Sequence, residues 1–274
     1  MLRSRGMDPI FCTDCAKGLR AYQTRAKERS TNLGRFLTND RTIIPALDVS
    51  SLIDLGRIMR GTARLNEVEA YKVGFTLGLK YGLDKIVAEV RERSDALVIY
   101  DHQKAGTDIP DTGTGFARVL AAAGVDAAIL FPLTGPATQE AWIKACQDAG
   151  LEVIVGGHMT HPKFTVSEGG YIADDAPPAI YKLAAKLEVR NFVVPGNKLD
   201  FTAKYCRVIA DEIGSTDFDI MAPGFGKQGG DTSQFACLPG EVRRHQIVGR
   251  KIIEAEDDEV PAVVRALARE LCAV

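Results

Sequence analysis

The amino-acid sequence predicts an α/β chain that closes into a (β/α)8 TIM barrel behind an N-terminal extension. Three observations lead there. From residue 42 onward, short apolar runs alternate with amphipathic stretches of helical length, the pattern of strand–helix units. The runs are continuously apolar, as parallel strands covered on both faces require. Eight units occupy roughly 230 residues, the count and size of a barrel, whereas a doubly wound sheet rarely needs eight.

The elements follow in order. Residues 1–40 are rich in Arg, Lys, Thr and Ser, lack an apolar period and read as an extension with one helix near Cys15 to Arg29; residues 41–274 form the barrel domain. The strand runs are Thr42–Val49, Ala70–Phe75, Ala96–Asp101, Ala127–Phe131, Glu152–Gly156, Asn191–Pro195, Phe218–Ala222 and His245–Val248. Between them lie amphipathic stretches such as Leu83–Arg93, Ala137–Ala149 and Ala203–Ile213, and Val260–Leu271 closes the chain. The irregular stretch Lys163–Pro178 reads as a long βα loop or a short excursion helix.

The chain has 274 residues, long enough to bury roughly three-quarters of its unfolded surface without a disulfide or metal. Its 34 Lys plus Arg against 36 Asp plus Glu give a net charge of −2. That balance argues against a nucleic-acid or anionic-membrane binder, which carries a basic excess. No apolar run approaches the ~18 residues of a membrane span, and the N-terminus lacks the apolar core of a secretory signal. The six cysteines, at 12, 15, 146, 206, 237 and 272, suggest no disulfide framework and point to a reducing, cytoplasmic compartment. Cys12 and Cys15 form a lone C-x-x-C with no second ligand pair, so free thiols are expected there rather than a zinc site.

In a barrel the chemistry sits where strands end and βα loops begin. Asp48 ends the first run in PALDVS, and Lys72 lies in YKVG. The third run ends in YDHQKAGTDIPDTG, which places Asp101, Lys104 and Asp108 within eight positions. The fifth, seventh and eighth runs lead into GGHMTHP, APGFGKQGGD and VGRK, while the opposite strand ends read as bland. Acids and ammonium groups in one mouth hold each other charged, and a charged lysine there is equipped to protonate a developing carbanion. Such clusters in clefts mark functional sites; a solvated salt-bridge network is the alternative.

Gly224, Gly226 and Gly229 match G-x-G-x-x-G, but position 249 is Gly, not the acid a dinucleotide site needs about 20 positions on. Loops after strands seven and eight suit a phosphate held on backbone N–H groups, with Gln228 and Arg250 as side-chain donors. His102, beside Asp101, is a candidate member of the charge network; His158 and His161 are read as shaping their loop rather than ligating a metal.

Together these motifs resemble the orotidine 5′-monophosphate decarboxylase family. The likeness runs from about Thr42 to Leu271 and rests on PALDV, YKVG, the K-x-x-x-D-I-P run, M-T-H-P, APGFGKQGGD and VGR in that order. The resemblance implies a homodimer that converts orotidine 5′-monophosphate to UMP and CO2 with no cofactor. It implies that Asp48 and Lys72 bind the ribose hydroxyls and join the charge network, and that Lys104 protonates C6 beside Asp101. Asp108, Ile109 and Thr112 would reach into the neighbouring subunit's site, and Thr160 would bond the pyrimidine. Gln228 and Arg250 would hold the 5′-phosphate, with the Pro223–Asp231 loop closing over it, and Pro223 and Gly249 would be among the substrate-binding residues.

The family usually reads D-x-K-x-x-D, where this chain reads D-H-Q-K-A-G-T-D, each interval one residue longer. A spacing of three does not keep two side chains on one strand face, so a bulge or irregular strand end is expected near Asp101. Two other readings stand beside this one. They are a Mg-dependent sugar-phosphate decarboxylase or lyase of the same barrel group, and a non-catalytic nucleotide-phosphate binder.

Overall fold

The computed structural model describes residues 35–102, 106–225, 229–238 and 241–272. The strands are β1 (Arg41–Pro45), β2 (Ala70–Gly74), β3 (Leu97–Asp101), β4 (Ala127–Leu130), β5 (Glu152–Gly156), β6 (Asn191–Val193), β7 (Asp219–Ala222) and β8 (Arg243–Val248). All pair in parallel, in the order β1-β8-β7-β6-β5-β4-β3-β2. Ala46 bridges Lys72, and the Leu47 N–H donates to the Lys72 carbonyl at 2.8 Å, which brings β1 to β2 and completes the ring.

The helices are α1 (Leu52–Thr62), α2 (Phe75–Tyr81), α3 (Leu83–Arg91), α4 (Gly113–Ala123), α5 (Pro136–Asp148), α6 (Ala176–Lys186), α7 (Leu199–Ile213), α8 (Thr232–Ala236), α9 (Arg250–Ile253) and α10 (Val260–Cys272). Each expected apolar run holds a strand, but the extents differ: β6 stops at Val193, two residues short of Pro195, β8 starts two residues before His245, and two further differences bear on the site. The ladder of β1 stops at Pro45, opposite the last residue of β8, so Asp48 lies beyond the strand. Phe75 opens α2 rather than ending β2. Lys163–Pro178 is a loop closed by a Thr165–Ile172 bridge, with one 3-10 turn at Val166–Glu168 and α6 starting at Ala176.

Side chains two apart along a strand share a face, and that period sorts the core. Ile44, Ile99, Ile129, Ile154, Met221 and Ile247 fill the barrel in one buried cluster. Their neighbours in sequence, such as Ile43, Val98, Ala128 and Ile220, pack outward against the helices. The fit inside is close: a Cβ on Gly156 would lie 2.2 Å from the Phe131 ring.

The N-terminal ends of the strands are charged, not bland as the sequence suggests. Arg243 donates to Asp219 from Nε at 3.0 Å and from Nη2 at 2.7 Å, and from Nη1 to Asp217 at 2.6 Å. His245 Nε2 lies 2.7 Å from Asp219 Oδ1, the oxygen that also accepts from Arg243 Nε, and its Nδ1 lies 2.8 Å from Thr42 Oγ1. Asn191 Nδ2 donates to Glu152 at 2.8 Å in the same layer. Burial raises the Asp219 pKa, but its bonds to His245 and Arg243 outweigh that and hold it below the usual carboxylate value. Read from sequence, β8 begins only at His245, which hides the register that sets Arg243 beside Asp219.

Below this layer runs the end of the expected extension. Leu37 is fully buried, and Phe36 packs with it against the interior cluster. The N–H groups of Thr38 and Asn39 donate to the Glu69 carboxylate at 2.9 and 3.3 Å, and Arg244 N–H donates to the Asp40 carbonyl at 2.9 Å. Among the described residues no helix is long and apolar enough to cross a membrane. Cys146, Cys206, Cys237 and Cys272 are free thiols.

Candidate active site

Strand alternation builds the floor of the site. Asp101 follows Leu97 and Ile99 into the barrel and Lys72 follows Ala70, while Asp48 reaches Lys72 from beyond the end of β1. Lys72 Nζ donates to Asp101 Oδ2 at 2.7 Å and to both Asp48 carboxylate oxygens at 3.1 Å. Lys72 and Asp101 are buried, whereas Asp48 is half exposed. Burial alone would favour neutral Lys72, but Asp101 and Asp48 outweigh it and carry the pKa above the ordinary lysine value. The ammonium is therefore fixed and charged.

This array opens into a cavity of about 660 Å³ at the C-terminal ends of the strands, within the usual size of a small-ligand site. Ile129, Phe131, Val193 and Ile247 give it an apolar base. Thr160 and His161 line the β5 side, and Pro223, Gly224, Gly249 and Arg250 line the β7–β8 side. Gly224 has φ +110 and Gly229 φ +87, backbone that favours glycine. Gly230 N–H donates to the Gly224 carbonyl at 3.1 Å, so the two ends of the glycine-rich loop are pinned together. Arg250 opens α9 just after Gly249, exposed at the rim. Lys104, Gln228, Gly226, the Cys12–Cys15 pair and the expected helix near Cys15 to Arg29 lie outside the described residues.

The structure brings Asp48, Lys72, Asp101, Thr160, Pro223, Gly249 and Arg250 to one cavity. Asp108, Ile109 and Thr112 do not line it. All three are exposed, on a loop that α5 holds from behind. Thr138 Oγ1 donates to the Asp108 carbonyl at 2.9 Å, and Trp142 Nε1 donates to the Ile109 carbonyl at 3.1 Å.

His102 does not join the charge network. It shares the outer face with Tyr100, whose hydroxyl lies 2.8 Å from its Nδ1. The expected bulge is also absent from β3, which stays in register with Gly74 and Ile129 up to Asp101. His158 is buried, 2.6 Å from the Tyr205 hydroxyl and 3.2 Å from Glu168, with Lys198 Nζ at 3.0 Å. Burial and the Lys198 charge lower its pKa against the pull of Glu168. His158 thus supports its loop, as its sequence context suggests. Sequence reading passes over Lys198 and its neighbour Asn197; the available signal is the P-G-N-K turn directly after β6.

The geometry is that of a barrel with a charged floor on one side and a glycine-rich loop plus arginine on the other. Such a mouth can take a small anionic ligand and hold it at both ends. The model of the Orotidine 5'-phosphate decarboxylase / HUMPS family matches residues 41–265, and the chain belongs to that family. It is 31% identical over 220 residues to orotidine 5'-phosphate decarboxylase of Methanosarcina mazei, covering 80% of this chain and 91% of that protein. The enzyme of the same name from Methanosarcina barkeri is 30% identical over 229 residues, covering 84% of this chain and 94% of that protein. The fold is also that of orotidine 5'-monophosphate decarboxylase from Methanocaldococcus jannaschii, solved with the inhibitor BMP. That likeness has a TM-score of 0.69 at 24% identity, over 84% of this chain and 98% of that one.

Proposed function

We propose that this chain is an orotidine 5′-phosphate decarboxylase, a carboxy-lyase of pyrimidine biosynthesis that releases CO2 from orotidine 5′-monophosphate to give UMP. The observation that carries the reading is Lys72, held charged between Asp48 and Asp101 at the floor of the cavity. It stands beside the family match over residues 41–265. In this reading the ribose hydroxyls meet Asp48 and Lys72, and the pyrimidine meets Thr160. The phosphate lies against Pro223, Gln228, Gly249 and Arg250.

The C6–CO2 bond breaks and leaves its electron pair on C6, where the pair takes a proton from the Lys104 ammonium to form C6–H. Water then returns a proton to Lys104. The developing charge meets the Lys104 ammonium near the Lys72 one held by Asp48 and Asp101, and a preorganised donor of this kind is worth about 10²–10³ in rate. No cofactor is needed for these steps. Asp108, Ile109 and Thr112 are exposed and do not line their own cavity, which supports a homodimer in which they complete the partner's site. The cysteine usage favours a cytoplasmic location.

A Mg-dependent lyase needs a set of hard oxygen ligands. Lys72 Nζ already occupies the space between the Asp48 and Asp101 carboxylates, the oxygens such an ion would use. The deciding experiment follows the orotate chromophore on mixing with orotidine 5′-monophosphate, with and without EDTA. Loss of the chromophore at a rate the chelator does not change is the expected result. Chelator-sensitive turnover would favour the lyase reading, and UMP binding without turnover the non-catalytic binder.

A further inference from the structure

Three consecutive residues after β6 tie together the two loops that flank the cavity. Gly196 N–H donates to the Pro223 carbonyl at 2.9 Å, on the β7 side. Asn197 Nδ2 donates to the Thr160 carbonyl at 3.0 Å, on the β5 side. Lys198 Nζ donates to the next carbonyl, that of His161, at 3.0 Å, lies 3.0 Å from His158 Nε2, and forms an ion pair with Glu168.

Residues 157–164, between Gly156 and the Thr165 turn, belong to no helix or strand. Their backbone has no ladder to fix it, so side-chain donors must supply the order. Gly224 packs against the same place: a Cβ there would lie 3.0 Å from Thr160 Cγ2 and 3.1 Å from Asn197 Oδ1. A shift of Thr160 is therefore felt directly at the first turn of the glycine-rich loop.

We infer that Asn197 and Lys198 are positioning residues: they fix the Thr160–His161 backbone and couple the β5 side of the cavity to the loop that begins at Pro223. This inference rests on the decarboxylase reading for its kinetic consequences, but not for its structural ones. Glu168 supports it as the counter-charge that holds the ammonium in place. Lys198 is largely buried, with a side-chain exposure of 12%, so its ion pair is shielded from solvent screening.

The test pairs a kinetic cycle with hydrogen exchange on the full-length protein. Turnover of orotidine 5′-monophosphate by wild type is measured first; its absence removes the functional reading and leaves exchange to decide the inference. Asn197→Ala should speed amide exchange in residues 158–165 by about fivefold, the worth of one backbone-directed hydrogen bond. Exchange in β1–β8 should not change. Lys198→Met should do the same more strongly, and Lys198→Arg should recover most of the protection.

In kinetics, Asn197→Ala should lower kcat/KM in the wild-type background and have little further effect in a Thr160→Ala background, because it acts through that residue. Additive losses, unchanged exchange in 158–165, or no recovery in Lys198→Arg would each overturn the inference. If Lys198→Met loosens the whole barrel, the milder Asn197→Ala decides alone.

Discussion

Lys72 bonds two carboxylates that differ in one physical respect, and that difference sets a measurable asymmetry. The Asp101 side chain is 2% exposed and the Lys72 side chain 7%, whereas Asp48 is 50% exposed. Removing one partner of a buried pair strands the other charge in a poor solvent, at a cost of about 3–5 kcal/mol. Lys72→Met and Asp101→Asn should each lose that much, a fall in Tm of about 6–20 °C at 2–4 °C per kcal/mol. Asp48→Asn removes a solvated partner and should cost no more than about 1 kcal/mol. The double variant Lys72→Met/Asp101→Leu leaves no buried charge unpaired and should regain most of the stability lost in the singles. All four variants should lose activity. The assay is thermal unfolding by circular dichroism, beside the chromophore assay. Equal destabilisation by Asp48→Asn and Asp101→Asn, or no recovery in the double variant, would refute the reasoning.

Leu37→Ala should cost about 2–5 kcal/mol in urea unfolding, as for other fully buried leucines. Deleting residues 1–34 should then leave a folded enzyme, while deleting 1–38 should not; equal behaviour of the two truncations would refute the packing role. Glu168 is held at about 2 because its bonds from Lys198, Thr165 N–H and His158 outweigh desolvation. Its folded-state pKa is depressed, so its contribution to stability is full above the unfolded carboxylate pKa and fades as pH falls through about 2. Glu168→Gln should therefore flatten the acid limb of the stability profile below pH ~4, and an unchanged limb would count against the pair. Finally, Lys104→Ala and Asp108→Ala chains should each form nearly inactive dimers, and random mixing should restore about a quarter of wild-type activity if Asp108 serves the partner's site. No recovery, with hybrids confirmed by mass, would place Asp108 in its own subunit's site.

The strand runs are legible in the sequence because each is bounded by a change of period. Ala127–Phe131 and Glu152–Gly156, for example, match β4 and β5 to within a residue. The site residues at strand ends are legible for the same reason: a polar residue that closes an apolar run projects from the barrel mouth. What escapes is pairing between neighbouring strands. Arg243 and Asp219 stand 24 positions apart, and only the β7–β8 register puts them side by side. His102 is misplaced by sequence reading because nearness in sequence to Asp101 is distance in space, since adjacent strand residues face opposite ways. Leu37 is missed because one leucine in a polar segment has no period to betray it. Asn197 and Lys198 work through main-chain carbonyls, which leave no trace in side-chain pattern.

The interior of the barrel is polar at both ends and apolar between. Asp219, Arg243 and His245 lie at the bottom and Lys72 and Asp101 at the top, with Ile44, Ile99, Ile129, Ile154, Met221 and Ile247 between them. This apolar layer separates the two polar ends and forms the underside against which Lys72 and Asp101 meet. It also explains how the longer D-H-Q-K-A-G-T-D interval is tolerated. Asp101 is the last residue of β3 and is fixed by the same alternation that buries Ile99, so its place does not depend on the residues after it. The extra residues fall after the strand. There Gly106, at φ +84, turns the chain so closely against Pro132 that a Cβ would lie 3.2 Å from its Cα. The acid–lysine–acid floor of Asp48, Lys72 and Asp101 is therefore set by the strands themselves, whatever the length of the interval that follows.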